Sequence, residues 1–270
     1  GVREVAIDGS PVALSPDGRW IAGIGPEGVD ICVWNVETVT STCADTGVRP
    51  FPFSIAWAPD SSALVFVDGD PVLHEPNGVW IFTLGTGEVT SLADAALMHQ
   101  QPVWTADGET VIFLGANVDP ERASIYTVDR DGGQVERLPV PAVGIQAVIP
   151  IRDGRLAIAT GADSSLQMWE IGLDGTGLER TTLPIELGQD MPVQYADRSH
   201  DGRYLALASP EDQGDGPLVY RRFVLGMTTG EIVPQQTPDV SVQMFGPDHW
   251  TDAPASIVLG RDDTGDPFEV

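Results

Sequence analysis

The sequence predicts an all-β fold, a six-bladed β-propeller whose blades are four-stranded antiparallel sheets. An aspartate recurs six times at intervals of 43 to 48 residues, and a repeat of this length is typical of propeller blades. The same order of apolar and polar segments surrounds each aspartate, and no segment shows sustained helical periodicity. The six positions are Asp17, Asp60, Asp107, Asp153, Asp201 and Asp248.

Each repeat contains four predicted strands. The first is short and leads into the aspartate turn, as at residues 54–57, and the second is almost continuously apolar, as at residues 63–66. Such apolar runs are typical of strands covered on both faces, as when blades stack on one another. A turn such as Gly85-Thr86-Gly87 then leads to a more polar fourth strand, which suits the outer rim of a blade. The third strands carry aromatic residues that we expect to pack between blades, namely Trp34, Trp80, Tyr126, Trp169, Tyr220 and Phe268.

The repeat predicts one domain over residues 1–270, with units at about 9–47, 48–94, 95–140, 141–188, 189–238 and 239–270. The sixth unit ends after its third strand, whereas residues 3–7 are patterned like a fourth strand that belongs to no unit. If residues 1–8 complete the sixth blade, the ring closes and two open sheet edges disappear. We therefore predict closure of the propeller by its N-terminal strand.

The charge of the chain limits its partners. Forty acidic residues oppose fourteen basic ones, all of them Arg, which gives a net charge of −26. This argues against nucleic acid and anionic membranes, because both are bound through Lys and Arg surfaces. The charge favours solubility or, alternatively, the steering of basic partners and cations. Since the sequence shows neither an apolar run of transmembrane length nor a signal peptide, we expect a mature or excised monomeric domain that does not insert into a membrane.

The two cysteines predict a disulfide. Cys32 and Cys43 flank a β-rich stretch that folds naturally about Glu37-Thr38. In a hairpin centred there, the cysteines lie directly opposite each other, close enough for a cross-strand bond. A disulfide implies an oxidising, extracytoplasmic compartment, and two buried free thiols are the alternative. A zinc site is disfavoured because two cysteines without a nearby histidine supply too few ligands.

The repeats resemble those of TolB-type six-bladed propellers. The resemblance rests on the Ser15-Pro16-Asp17-Gly18 turn, the Ile21-Ala22 strand that follows it and later strands such as Ile125-Tyr126, and it covers essentially the whole chain. It is strongest in the first three units. The resemblance implies an extracytoplasmic propeller that binds peptides or proteins at one face, usually without chemistry.

The repeated aspartates are expected to form turns and not a site. A short Asp side chain accepts hydrogen bonds from nearby backbone N–H groups, and the glycine after it tolerates a positive φ. Other acidic loops, at residues 68–70, 129–132 and 262–266, supply oxygen ligands of the kind that Ca²⁺ prefers. None has the spacing of an EF-hand loop, so ordinary acidic turns are the first interpretation and bound Ca²⁺ is the alternative.

The candidate ligand site lies where the first strands line the central channel. Seven residues before each aspartate the sequence has Ser10, Phe53, Gln100, Gln146, Gln194 and Ser241. This mostly polar row predicts a channel mouth that offers hydrogen-bond donors and acceptors. His99 adjoins the row, Asp190 lies on the loop into the fifth unit, and Phe53 adds an apolar anchor. A water-filled channel closed by satisfied amides is the alternative.

Three functions remain in competition. The first is a non-catalytic binding or sensor propeller that recognises a protein, peptide or small ligand at the channel mouth, as a free domain or as the ectodomain of a membrane-anchored protein. The second is a lyase or hydrolase acting on sugars or peptides, with a metal or His/Gln site there. The third is an accessory propeller of a larger peptidase. We favour the first, without a cofactor, because the sequence contains no Gly-x-Ser-x-Gly elbow, His-Glu-x-x-His motif or phosphate loop.

Overall fold

The computed structural model describes residues 7–46, 50–69, 77–116, 123–140, 145–151, 154–162, 165–181, 195–198, 204–211, 219–226 and 232–235. All regular secondary structure in these ranges is β-strand. The strands form antiparallel sets of four, which confirms the predicted all-β class and the four-stranded grouping. Residues 1–6 and the predicted sixth unit, 239–270, lie outside the described residues. No described segment is a helix long and apolar enough to cross a membrane.

The first set contains β1 (Ser10–Leu14), β2 (Trp20–Ile24), β3 (Asp30–Asn35) and β4 (Ser41–Asp45). The second and third contain β5 (Pro50–Trp57), β6 (Ala63–Asp68), β7 (Asn77–Thr83), β8 (Glu88–Trp104), β9 (Thr110–Ala116), β10 (Ser124–Asp129) and β11 (Glu136–Arg137). The fourth contains β12 (Ile145–Ile151), β13 (Arg155–Ala162), β14 (Ser165–Gly172) and β15 (Glu179–Thr181). The fifth contains β16 (Tyr195–Arg198), β17 (Tyr204–Glu211), β18 (Val219–Gly226) and β19 (Ile232–Gln235).

The second and third sets share one strand, which the repeat pattern did not predict. The first part of β8 pairs with β7 and its last part pairs with β9, so the two sets form one seven-stranded sheet. No Gly or Pro occurs between Glu88 and Gln101. Because nothing in this stretch breaks the extended backbone, the outer strand of one set continues into the first strand of the next.

Apolar side chains fill the space between neighbouring sets. Ala22 and Ile24 of β2 pack with Leu64 and Phe66 of β6 between the first and second sets. The alternate β6 residues, such as Val65, turn to the opposite side and pack against the third set. A comparable cluster joins the third and fourth sets. The second strands are therefore covered on both faces, as their continuous apolar runs predicted.

The third-strand aromatics also lie between sets, each on the side of the preceding set. Trp80 packs against the cluster shared with the first set, Tyr126 against the one shared with the second, and Trp169 against the one shared with the third. Tyr126 stacks on Phe113 with ring centroids 5.8 Å apart. Trp34, the counterpart in the first set, is buried on the face that points away from the second set. This agrees with the prediction that these aromatics pack between sheets.

Two tryptophans connect the first strands of successive sets by hydrogen bonds. Trp57 Nε1 donates to the carbonyl oxygen of Ala13 at 3.2 Å, and Trp104 Nε1 donates to that of Ala56 at 3.1 Å; both bonds are buried. Each tryptophan stands three residues before its repeat aspartate. The bonds join β1 with β5 and β5 with β8, and β8 also contacts β12, which contacts β16.

Trp104→Phe keeps the aromatic ring and removes the indole N–H, which leaves the buried Ala56 carbonyl without this donor. We expect the free energy of unfolding to fall by about 1–2 kcal/mol, measured by urea denaturation. The control is Trp169→Phe, whose N–H donates to Thr160 Oγ1 within a single sheet at 3.3 Å. A loss no larger than that of the control would contradict a role for the bond in joining sheets.

Candidate functional site

The first strands have two structurally different ends. They run towards the repeat aspartates, so those turns lie at one end of the sheets and the predicted channel-mouth row lies at the other. Loops between the third and fourth strands share the aspartate end, whereas the connections from one set to the next share the channel-mouth end. Each end has to be assessed from its own contacts.

At the aspartate end, the carboxylates close their own turns. Asp17 Oδ1 accepts the N–H of Arg19 at 3.0 Å, Asp60 Oδ1 that of Ser62 at 3.0 Å, and Asp107 Oδ1 that of Glu109 at 3.1 Å. The hydroxyls of Ser15 and Thr105 donate to the same oxygens of Asp17 and Asp107, at 2.6 and 2.5 Å. The predicted turn role is confirmed for these three aspartates. Asp153, Asp201 and Asp248 lie outside the described residues.

A serine replaces the turn glycine in the second set. Gly18 and Gly108 have φ angles of 70° and 74°, and Ser61 adopts 59° at the same place. Its hydroxyl accepts the N–H of Asp17 in the neighbouring turn at 3.1 Å. Ser61 thus adopts a left-handed backbone conformation that glycine would adopt without steric cost. Its hydroxyl links the turns of two sets.

Arg130 makes a second link between sets at this end. Its Nη1 lies 2.9 Å from Asp60 Oδ2, its Nη2 donates to Ser62 Oγ, and its guanidinium lies 5.4 Å from the Trp104 ring centroid. Partial burial raises the pKa of Asp60, but hydrogen bonds from Ser62 and the Arg130 charge together lower it below its usual value. The third set is thereby attached to the turn of the second, and this carboxylate is engaged within the protein.

The pKa of Asp107 lies below its usual value, first because the Thr105 hydroxyl donates to the carboxylate and then because the Glu109 N–H does. A depressed folded-state pKa gives stability that is present above the unfolded pKa, near 3.9, and lost as pH falls through the folded one. We expect Asp107→Asn to lower the thermal midpoint at pH 7 and to weaken its acid dependence below about pH 4.

The matched control for this pH experiment is Glu109→Gln, which removes a neighbouring carboxylate and keeps the N–H that Asp107 accepts. It should follow the parent between pH 2 and 7. If Asp107→Asn and the parent lose stability in parallel over the whole acid range, the assigned hydrogen bonds do not hold the pKa down.

At the other end, the structure places several members of the predicted row by backbone register. Ser10 pairs with Ile24, His99 with Gly115 and Gln100 with Leu114. Phe53 lies in β5 and Gln146 in β12, each within a stretch where the register shifts. Asp190, Gln194 and Ser241 lie outside the described residues. The described members all lie in first strands or, for His99 and Gln100, in the part of β8 that serves as the first strand of the third set.

The sequence analysis did not predict that the pairing register of these four first strands shifts close to the predicted row. Register shifts occur between Pro11 and Ala13, Pro50 and Ile55, Gln100 and Val103, and Ile145 and Ala147. β-Bulges redirect side chains and are frequent beside functional sites. Prolines within or beside three of the shifts are the signal that would have revealed them, because proline inside a strand marks an edge or a bulge.

The predicted disulfide is present. Cys32 and Cys43 are directly opposed in the β3–β4 ladder with Cα atoms 4.1 Å apart, and their sulfurs are bonded. The hairpin turns where expected, since Asn35 Oδ1 accepts the N–H groups of Glu37 and Thr38 at 2.9 Å each.

Two of the three predicted acidic loops are described only in part or not at all. In the loop at 68–70, Asp68 Oδ1 accepts the N–H of Gly78 across the strands, and Asp70 lies outside the described residues, as does the segment 262–266. Among the residues with described side chains, no three His, Cys, Asp or Glu are grouped so as to hold a metal ion.

Solved structures with the same fold are TolB and related propellers. A candidate TolB protein of Agrobacterium tumefaciens is 16% identical with a TM-score of 0.63, over 84% of this chain and 79% of that one. TolB from Acinetobacter baumannii is 16% identical with a TM-score of 0.56, over 83% and 51%. An oligogalacturonate lyase in complex with manganese is 14% identical with a TM-score of 0.64, over 87% and 66%.

The fold is therefore that of a TolB-like β-propeller. No family model matches the sequence, and no curated protein matches it either. At these identities the structural likeness defines the architecture, and a function has to be argued from this chain's own residues.

Proposed function

We propose that this chain is a non-catalytic, extracytoplasmic binding or sensor propeller that recognises a protein, peptide or small ligand at its channel mouth. The observation that carries the proposal is the shared position of the predicted row. Four first strands, contacting one another in order, are each irregular at the level of Ser10, Phe53, Gln100 or Gln146. A ring of bulged strands supplies polar groups from several sheets to one ligand.

The opposite end is less suited to a ligand. There the carboxylates of Asp17, Asp60 and Asp107 already accept backbone and side-chain donors from their own turns. Arg130 is likewise engaged by Asp60, Ser62 and the Trp104 ring. A ligand at this end would compete with contacts that hold neighbouring sets together. The proposed channel mouth lies at the end of the sheets away from these contacts.

The propeller we propose has six blades and closes through its N-terminal strand. Support comes from the face of the first set that points away from the second. Leu14, Ile21, Cys32 and Trp34 form a buried cluster there, and Trp34 is only 3% exposed. In the next three sets the corresponding face packs against the preceding blade. A sixth blade at this position would continue the same packing.

The path of the chain before β1 supports the same closure. Leu92 and Leu138 lie on the chain segments that run from an outer strand to the next first strand, and both are buried between sets. Ile7 packs in the equivalent way against the Trp34 cluster. The backbone at Gly9 approaches so closely that an added Cβ would lie 2.8 Å from Trp34 Cζ2. Residues before Ile7 would then come from the outer edge of a preceding blade.

An extracytoplasmic location and a proteinaceous partner complete the proposal. The Cys32–Cys43 disulfide is of a kind that persists in oxidising compartments. A net charge of −26 favours association with basic surfaces and opposes binding to nucleic acid. The TolB-like fold is compatible with both points.

The channel-mouth site is tested with peptides selected on the parent protein from a displayed library. Phe53→Ala and Gln146→Ala should each weaken binding about tenfold, or roughly 1.4 kcal/mol, and shift the melting temperature by less than about 2 °C. Glu109→Ala at the aspartate end is the control and should bind as the parent does. Equal losses of binding and stability would count against the site.

A propeller enzyme is the second candidate, and the lyase neighbour crystallised with manganese favours testing it. Calorimetric titration of the parent with Mn²⁺ distinguishes the two. Stoichiometric binding that His99→Ala abolishes would support the enzyme and overturn the non-catalytic proposal. Absence of such binding, together with the peptide result above, supports the binding module.

Closure is tested by deleting residues 1–8, which removes Ile7 from the Trp34 cluster. We expect the free energy of unfolding to fall by more than about 2 kcal/mol, since a large apolar side chain and a strand edge lose their cover. Deletion of residues 1–2 alone, which precede the predicted strand, is the control. A chain lacking residues 1–8 that is as stable as this control would eliminate closure by the N-terminal strand.

A further inference from the structure

The outer strand β4 is a sheet edge without the usual protection. It is the last strand of its sheet, and no described strand pairs with its outer side. Its residues Ser41, Thr42 and Cys43 are exposed, and its register with β3 is continuous. From Thr38 to Ala44 the chain has no charge and no proline. Exposed, regular edges of this composition readily pair with another chain.

The outer strands of the other described sets have features that oppose pairing with another chain. The strand β11 has only two residues, both charged, and β15 has three, with Glu179 and Arg180 among them. Pro234 interrupts β19. The outer part of β8 begins with the charged Glu88, pairs regularly with β7 only as far as Ser91, and shifts register beyond that residue. Short length, charge, proline and irregular register are the devices that block edge pairing, and residues 41–44 of β4 have no charge, no proline and no register shift.

The ladder geometry shows which backbone groups face outwards. The N–H of Asn35 donates to the carbonyl of Thr40, and pairs alternate between hydrogen-bonded and non-hydrogen-bonded along an antiparallel ladder. Cys32–Cys43 is therefore a non-hydrogen-bonded pair, in agreement with its Cα separation of 4.1 Å. The N–H and C=O groups of Ser41 and Cys43 consequently point away from β3, towards the free edge.

Two features favour the binding of a partner strand at this edge. The disulfide attaches the middle of β4 to β3, so the edge is held in register before anything binds, which lowers the ordering cost of association. Val39 occupies a left-handed turn position with φ 57° and is 44% exposed, where the second set has Gly87 with φ 70°. A β-branched residue is unfavourable there, and its exposed side chain offers an apolar contact beside the edge.

We propose that β4 accepts an extended segment of a partner protein as a fifth strand, with basic residues at the ends of that segment. Glu37 precedes the uncharged stretch and Asp45 follows it in a chain of net charge −26, which favours basic flanks. Two copies pairing along β4 would bring together two chains that each carry a net charge of −26, so a second copy is disfavoured. Main-chain hydrogen bonds would supply the affinity, as in other strand additions.

The probe is the blocked peptide Arg-Thr-Val-Thr-Val-Thr-Arg, added to the disulfide-bonded parent. We expect amide hydrogen exchange at Ser41 and Cys43 to slow at least tenfold at saturation. The same peptide N-methylated at alternate residues, which lacks donors along one edge, should bind at least tenfold more weakly. A peptide with Glu at both ends should also bind at least tenfold more weakly.

The protein variants are Ser41→Pro and Ser41→Thr. Because the Ser41 N–H points outwards, proline at this position removes an edge donor and leaves the β3 ladder intact. Ser41→Pro should therefore abolish the slowing of amide exchange at Cys43 by the peptide. Ser41→Thr keeps the N–H and should preserve this slowing. Phe53→Ala should have no effect, which separates this edge from the channel mouth. Unchanged exchange at Ser41 and Cys43, or equal binding of the N-methylated peptide, would overturn the proposal even if Ser41→Pro fails to fold. Equal binding of the Glu-flanked peptide, or a parent dimer that Ser41→Pro dissociates, would overturn the assigned partner.

Discussion

The mutual covering of neighbouring sheets is the constraint on which the rest of this structure depends. The second strand of each set is apolar on both faces, so no set can bury its own side chains alone. Leu64 and Phe66 of β6 face the first set, whereas Val65 faces the third. The tryptophan bonds from Trp57 and Trp104 then fix how the first strands approach one another. The order of the first strands and the position of the outer edges follow from that stacking.

The acidic character of the chain is used in two ways. Repeat aspartates such as Asp107 satisfy the donors of their own turns, and Asp60 also pairs with Arg130 from the next set. These contacts engage a part of the negative charge internally, at the end of the sheets opposite to the candidate site. The remainder leaves the chain with a net charge of −26, which would favour the basic partner that we propose.

The two proposed binding surfaces rely on opposite properties of β-structure. At the proposed channel mouth, the register of the first strands shifts near Phe53, Gln100 and Gln146, and such bulges commonly occur beside functional sites. Along β4, uninterrupted register and the Cys32–Cys43 bond keep a regular edge available. One surface suits a ligand held by several sheets, and the other suits an extended strand. A propeller separates the two because first strands line its centre and fourth strands form its rim.

The sequence alone determined the features that depend on local spacing. The aspartate period defined the four-stranded units, the Asp side chains and glycines defined the turns, and the eleven-residue separation of Cys32 and Cys43 defined the disulfide. Each of these depends on residues close in the chain, where pleat and turn geometry are fixed by residue type. The row of Phe53, Gln100 and Gln146 was likewise found by counting from the aspartates, and its role as a site stays a prediction.

Only the tertiary structure decided the features that join distant residues. The Arg130–Asp60 pair spans 70 residues and the Ser61–Asp17 bond spans 44, so both exist only after the sheets have stacked. The continuity of β8 depends on how two sets are oriented, and the bulges depend on how each first strand meets its neighbours. Whether β4 is free also depends on which strands end beside it. The local sequence permits a continuous β8 and marks three of the four bulges with proline, but it does not encode the long-range contacts, because these arise from packing between whole sheets.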